Sequence, residues 1–155
     1  MQLHILAIGR AKKTPQQQLV DEFMGRLPRK GKVVEAESRL PSGPARQADE
    51  SQKLLAACQQ SFKGSTKLIA MDPHGTSLSS EALAALISQY RDAGTANLCF
   101  AIGGADGHDK ALLDEADKVI SFGAATWPHM LFRAMLAEQL YRAEMIIANH
   151  PYHKS

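Results

Sequence analysis

The chain has 155 residues, 45% apolar and 22% charged. That balance excludes intrinsic disorder and suits a single domain with one hydrophobic core. No apolar run approaches the roughly 20 residues of a membrane-spanning helix, and the opening "MQLHILAIGR" lacks the basic leader and cleavage site of a secretory signal. A cytoplasmic protein is expected. The net charge of +2 is unevenly spread. Arg10, Lys12, Lys13, Arg26, Arg29, Lys30 and Lys32 face only Asp21 and Glu22 in residues 1–32, which leaves that segment at +5 and the remainder at −3. A local basic edge of this kind either holds phosphates or simply stays solvated. Cys58 and Cys99 lie in apolar settings and read as buried hydrophobes rather than a disulfide.

The elements alternate. "LHILAIG" reads as a buried strand ended by Gly9, and after Pro15 "QQQLVDEFMGRL" sets Leu19, Phe23 and Leu27 four apart on an amphipathic helix. "KVVEAE" is a second strand, "RLPSGPARQ" a loop with basic ends, and "ADESQKLLAACQQSF" a helix. "TKLIAMD" is a strand expected to stop at "PHG". In "SLSSEALAALISQYRDAG", Ser79 or Ser80 can cap a helix that Gly94 terminates. The strand "NLCFAI" leads into the glycine loop "GGADG", a helix from about His108 to Glu115, and a short strand "KVISF". "GAATWP" then opens a helix from about Pro128 to Met145, capped by Thr126 with Pro128 near its first position, before the tail "ANHPYHKS". This β–α alternation predicts one α/β domain over residues 1–155, a mainly parallel sheet with helices on both faces.

Ligands of open parallel sheets bind beyond the carboxyl ends of strands. Three such ends here are rich in turn residues: "AMDPHG", "AIGGADG" and "SFGAATWP". If adjacent, they form one pocket built largely of backbone, which Gly103 and Gly104 allow a flat ligand to approach. "GGADGHDK" has neither P-loop nor GxGxxG spacing, and Asp106 and Asp109 oppose a phosphate. A nucleoside without phosphates fits better; a tight turn needing no ligand is the simpler alternative. On the last helix, Met130, Leu131, Met135, Leu136 and Leu140 suit a core or an interface, His129 and Arg133 share a face, and Glu138 is spaced to pair with Arg142. In the tail, His150 and His153 flank Tyr152. A metal held by these and His129 lacks any accompanying cysteine or carboxylate cluster, so no metal site is assigned. Acid–base work, phosphate contact or a plain frayed end remain for the tail.

Read together, "AIGGADG", "WPHMLFRAMLAEQLYRA" and "NHPYHK" resemble the RlmH family, the bacterial SPOUT-class methyltransferases of 23S ribosomal RNA, and "AIGR" and "LIAMDPHG" agree. The resemblance runs end to end. Lys154 stands where an arginine is familiar, and Met71, Ala105 and Met130 replace residues more usual there. It implies S-adenosylmethionine as donor, methylation at N3 of a pseudouridine in a 23S rRNA stem-loop of the assembled ribosome, a homodimer, and a SPOUT-type α/β fold with a C-terminal trefoil knot. Cofactor positions carry over to Met71, to Gly103 and Gly104, and to Phe122, Gly123, Ala124, Ala125, Thr126 and Trp127. The polar candidates for catalysis are His129, Arg142, Tyr152 and His153. His153 or Tyr152 would assist removal of the N3 proton, and Arg142 would orient a phosphate or stabilise the uridine anion. The basic N-terminal segment and the 38–47 loop would hold rRNA by its phosphates, and one subunit's tail would complete its partner's pocket. Two other readings stand beside this one: a non-enzymatic rRNA-binding or ribosome-assembly factor, and a histidine–metal hydrolase.

Overall fold

A computed structural model describes residues 1–154, with side chains through Tyr152. Five strands are separated by helices: β1 (Gln2–Ile8), α1 (Pro15–Arg26), β2 (Val33–Ala36), α2 (Pro44–Gln60), β3 (Thr66–Ser77), α3 (Ser80–Asp92), β4 (Asn97–Ile102), α4 (Lys110–Glu115), β5 (Lys118–Ser121) and α5 (His129–Ile147). A 3-10 turn, Pro151–Lys154, follows. The strands form one sheet in the order β2-β1-β4-β3-β5, and every pairing is parallel.

Side-chain alternation assigns the two faces. Leu3, Ile5, Ile69, Leu98, Phe100 and Ile120 form one core with Val20 and Met24 of α1, Leu83 and Ile87 of α3, and Leu136 and Leu140 of α5. The opposite residues, Leu6, Ile8, Leu68, Ala70, Cys99 and Ala101, pack with Leu54 and Cys58 of α2 and Leu112 of α4. Both faces are covered, which explains the continuous apolar run of β1. Cys58 and Cys99 are buried, unbridged neighbours in the second core.

Helix starts follow short polar side chains: Thr14 accepts from Gln17 N, Ser79 from Ala82 N, and Asp109 from Leu112 N. Asp109 therefore delays α4 to Lys110, two residues later than the sequence suggested. Pro128, not Thr126, occupies the cap position of α5, without a side-chain cap bond. The "RLPSGPARQ" loop is shorter than expected, because Pro44 already begins α2. β3 also differs from expectation. It does not stop at "PHG" but bulges, so that Ile120 pairs with both Met71 and Thr76. Gly75 makes this possible: a Cβ there would stand 2.7 Å from Ile120 N.

The end of α5 is a defined turn. Asn149 takes a left-handed φ of 53°, and His150 N donates to Met145 O at 2.8 Å. Tyr152 folds back with its ring edge on Tyr141, centroids 4.8 Å apart.

Candidate active site

β4 lies between β1 and β3, and β3 lies against β5, so the carboxyl ends of β3, β4 and β5 are neighbours. They enclose a cleft of about 720 Å³, within the roughly 300–1,000 Å³ of small-molecule sites. Met71, Asp72 and Pro73 come from the bulged stretch of β3, Gly103, Gly104 and Ala105 from the end of β4, and Phe122, Gly123, Ala125, Thr126 and Trp127 from the segment after β5. Ala124 is exposed and lies outside the wall. Gly9 and Arg10 close one side, and His129, Met130 and Arg133 of α5 form the base.

The glycine loop is held from behind by α2. Gln47 Nε2 donates to the carbonyls of Asp106 and His108 at 2.7 and 3.1 Å, and Ser51 Oγ accepts from Asp109 N at 2.9 Å. Glu50, 1% exposed, packs beneath Gly104, where any Cβ would clash with its Oε2. A Cβ on Gly103 would come within 2.9 Å of the Gly107 carbonyl carbon. The loop is therefore folded so tightly that only glycine fits, and its backbone is left to the cleft. Asp106 accepts from Ser42 Oγ and Gly43 N, and Asp109 caps α4. Both carboxylates serve the loop's own fold.

Arg133 is the largest fully buried side chain. It donates to Ile8 O at 2.8 Å, Gly9 O at 2.6 Å and Glu35 Oε1 at 2.5 Å, and so ties α5 to the ends of β1 and β2. The His129 ring lies beside the Gly103 backbone, and its Nε2 is buried without a hydrogen-bond partner. Burial, then the Arg133 charge, push His129 below the ordinary histidine range, so it stands neutral at pH 7.

The remaining polar candidates lie elsewhere. The helical rise separates His129 from Arg142 by roughly 20 Å along α5. Arg142 Nε donates to Glu138 Oε1 at 2.8 Å, the pairing its spacing suggested, and its guanidinium lies 5.0 Å from the Tyr152 ring centroid. Tyr152 Oη donates to the same carboxylate oxygen at 3.2 Å, and burial and Glu138 hold its phenol above the ordinary range. The His153 side chain lies outside the described residues. His129 and His150 sit at opposite ends of α5, so one chain cannot bring them to one metal. Among the described residues no three His, Cys, Asp or Glu side chains group as metal ligands, and no helix is long and apolar enough to cross a membrane.

The basic N-terminal segment divides. Lys12, Lys13 and Lys30 surround a second hollow of about 600 Å³ between α1 and β2. Arg10 pairs with Glu37 at 3.1 Å, and Arg26 pairs with Glu22 and lies over Tyr141.

Sequence reasoning included Arg46 and Gln47 only in a loop expected to hold rRNA, missed Glu50 and Ser51, and gave Arg133 no role. Arg133 carried a signal: it falls on the buried stripe of Ala137, Leu140 and Glu144 in an apolar helix. A charge on such a stripe must be paired.

A family model described as "Predicted SPOUT methyltransferase" matches residues 1–153. The chain is 46% identical, over the whole of both chains, to the protein named "Ribosomal RNA large subunit methyltransferase H" of Mesorhizobium japonicum. It is 42% identical to the protein of that name from Paramagnetospirillum magneticum over 99% of each, and 40% identical to that of Brucella abortus over all of both. A solved structure described as a probable methylase family protein from Haemophilus influenzae superposes with a TM-score of 0.56 at 10% identity, over 95% of this chain and 66% of that one. That likeness shows the fold. The matched length and the identities show that the chain belongs to the SPOUT methyltransferases, among the ribosomal RNA large subunit methyltransferase H proteins.

Proposed function

We propose that this protein methylates N3 of a pseudouridine in a 23S rRNA stem-loop of the assembled ribosome, using S-adenosylmethionine, and that it works as a homodimer in the cytoplasm. The observation that carries this reading is the convergence of three strand ends on one backbone-lined cleft, in a chain whose full-length relatives bear a ribosomal RNA methyltransferase name. The cleft fits a nucleoside group: apolar walls from Met71, Ile102, Phe122 and Phe132, and a glycine backbone that offers polar atoms. Met71, Gly103, Gly104 and the 122–127 segment would hold the donor, with His129 Nε2 a buried acceptor beside them. S-adenosylmethionine supplies a methyl group already activated by its sulfonium.

The protein's own tasks are to orient the base and to take its N3 proton. Tyr152, whose phenol is held above its ordinary range by burial and then by Glu138, stays protonated and suits hydrogen-bond donation. His153 is then assigned the proton. Arg142 offers a fixed positive charge to the uridine anion or a phosphate, and the Lys12–Lys13–Lys30 hollow and the Ser38–Gly43 loop meet RNA phosphates. Because Arg142 and Tyr152 stand far along α5 from the cleft of their own chain, a partner's tail is the one to complete it. Leu19, 42% exposed, and Leu131, 36% exposed, supply apolar surface on α1 and α5 for that pairing.

Ribosomes from a strain lacking the gene, given the protein and labelled S-adenosylmethionine, should gain label on 23S rRNA; unlabelled rRNA refutes the proposal. Calorimetry separates the non-enzymatic alternative, which binds rRNA but gives no heat with S-adenosylmethionine. His153→Ala should abolish transfer with donor binding intact; unchanged turnover removes His153 from catalysis.

A further inference from the structure

Among the cationic side chains at the cleft, Arg46 is held in a way the others are not. It stands on the first turn of α2 and lines the cleft. Its Nε donates to Glu50 Oε1 at 2.9 Å, and Glu50 is 1% exposed beneath the glycine loop. Its two terminal nitrogens make no hydrogen bond among the described residues, and its side chain is 32% exposed. An arginine fixed through Nε by a buried carboxylate presents its outer edge as a ready fork for a planar oxyanion. Arg133 cannot serve, since it is fully buried and bonded to Ile8, Gly9 and Glu35. Arg10 is 78% exposed and held only to a surface glutamate, so it is poorly fixed.

The charges behind Arg46 are acidic. Glu50 has its second oxygen buried without a partner, and Asp106 lies close enough to act on Arg46. One cation in front of two carboxylates suits a ligand end that carries both signs, an amino-acid zwitterion. It suits a phosphate poorly, because the same carboxylates repel a multiply charged anion.

We propose that Arg46, braced by Glu50, binds the carboxylate at the amino-acid end of the methyl donor, and so selects an intact amino-acid tail. This rests on the reading that the cleft binds S-adenosylmethionine. It adds a recognition contact from α2, outside the three strand-end segments that define the cleft.

Titration calorimetry on the full chain tests it with two probes: S-adenosylmethionine and decarboxylated S-adenosylmethionine, which keeps the sulfonium and the ammonium. The wild-type protein should prefer the carboxylated donor by about tenfold or more, the scale of one partly exposed charge-assisted contact. Arg46→Ala should erase that preference, and it should bind the decarboxylated donor at least as tightly as wild type, because a like charge has gone. Arg46→Lys should keep part of the preference. If both donors weaken equally in Arg46→Ala, the residue only supports the fold and the proposal fails. It fails too if Arg10→Ala, rather than Arg46→Ala, erases the preference, or if Arg46→Ala weakens only ribosome binding. A wild-type protein that binds neither donor overturns the S-adenosylmethionine reading itself.

Discussion

Replacing Arg133 by methionine tests whether a buried cation locks the cleft base in place. Methionine fills most of the stem volume but removes three hydrogen bonds, to Ile8 O, Gly9 O and Glu35 Oε1. Glu35 is 28% exposed and keeps the Ala11 N–H at 2.7 Å, so it is only partly stranded. Breaking a buried charge pair costs about 3–5 kcal/mol, and the solvent access of Glu35 argues for the lower half of that range. Each kcal/mol lowers the midpoint by about 2–4 °C in a domain of this size, so a fall of about 6–16 °C is expected. Urea unfolding followed by circular dichroism gives the free energy, and scanning calorimetry gives the midpoint. Donor affinity should fall as well, since α5 carries His129 and is joined to β1 and β2 by this guanidinium. The double variant Arg133→Met/Glu35→Met should cost clearly less than the two single losses added together, because no charge is left unpaired. A loss below about 1 kcal/mol in Arg133→Met, or strict additivity in the double variant, would refute the reasoning.

Two further outcomes are expected. Gly103→Ala forces Gly107 backbone to move and should lower both stability, by about 1–3 kcal/mol, and donor affinity, whereas Gly123→Ala meets open space and suffers only its φ of 96°, costing about 1–2 kcal/mol; denaturation and calorimetry on both variants check the order. His4, His108 and His129 are all held below the ordinary histidine value of 6.5, chiefly by burial. The unfolded chain therefore binds more protons, so their stabilisation is full above about pH 6.5 and is lost as pH falls from there through the lowered folded values, at no more than about 1.4 kcal/mol per pH unit for each. Unfolding free energies that stay flat between pH 5 and 7 would contradict this.

The architecture was legible because its causes are local and periodic. Short, nearly continuous apolar runs in β1 and β4, and small polar caps at Thr14, Ser79 and Asp109, fix elements without long-range information. The cleft was legible too, as glycine and turn residues cluster wherever a parallel strand ends. What escaped was polar residues buried by their partners. Gln47, Glu50 and Ser51 continue the face of α2 that carries the core residues Leu54 and Cys58, but their polar side chains make that end of the face read as solvent-facing. It is turned inward because the loop 104–109 has backbone groups that need exactly such partners nearby. The continuation of β3 past "PHG" was hidden for a related reason. Gly75 reads as a terminator in sequence, yet in space it is the place where two strands approach too closely for any side chain.

The separation of the two halves of the proposed site along α5 allows a direct test of which chain supplies each. The cleft is built from strand ends and the starts of α2 and α5, while Tyr152 packs on Tyr141 and Glu138 farther along α5. Gly103→Val should disable the cleft and leave the tail; His153→Ala should disable the tail and leave the cleft. Each homodimer is then inactive. Equal amounts unfolded together and refolded give half heterodimers, and if tails act across the interface, one site in each heterodimer is whole. About a quarter of wild-type transfer to rRNA should return. If each tail served its own chain, a heterodimer would pair a cleft-dead subunit with a tail-dead one, and no activity would return. Circular dichroism on both variants separates misfolding from a true lack of complementation. Silence from two folded variants would place the whole reaction within one chain, and Tyr152 and Arg142 would then have to leave the contacts they make on α5 to reach the cleft.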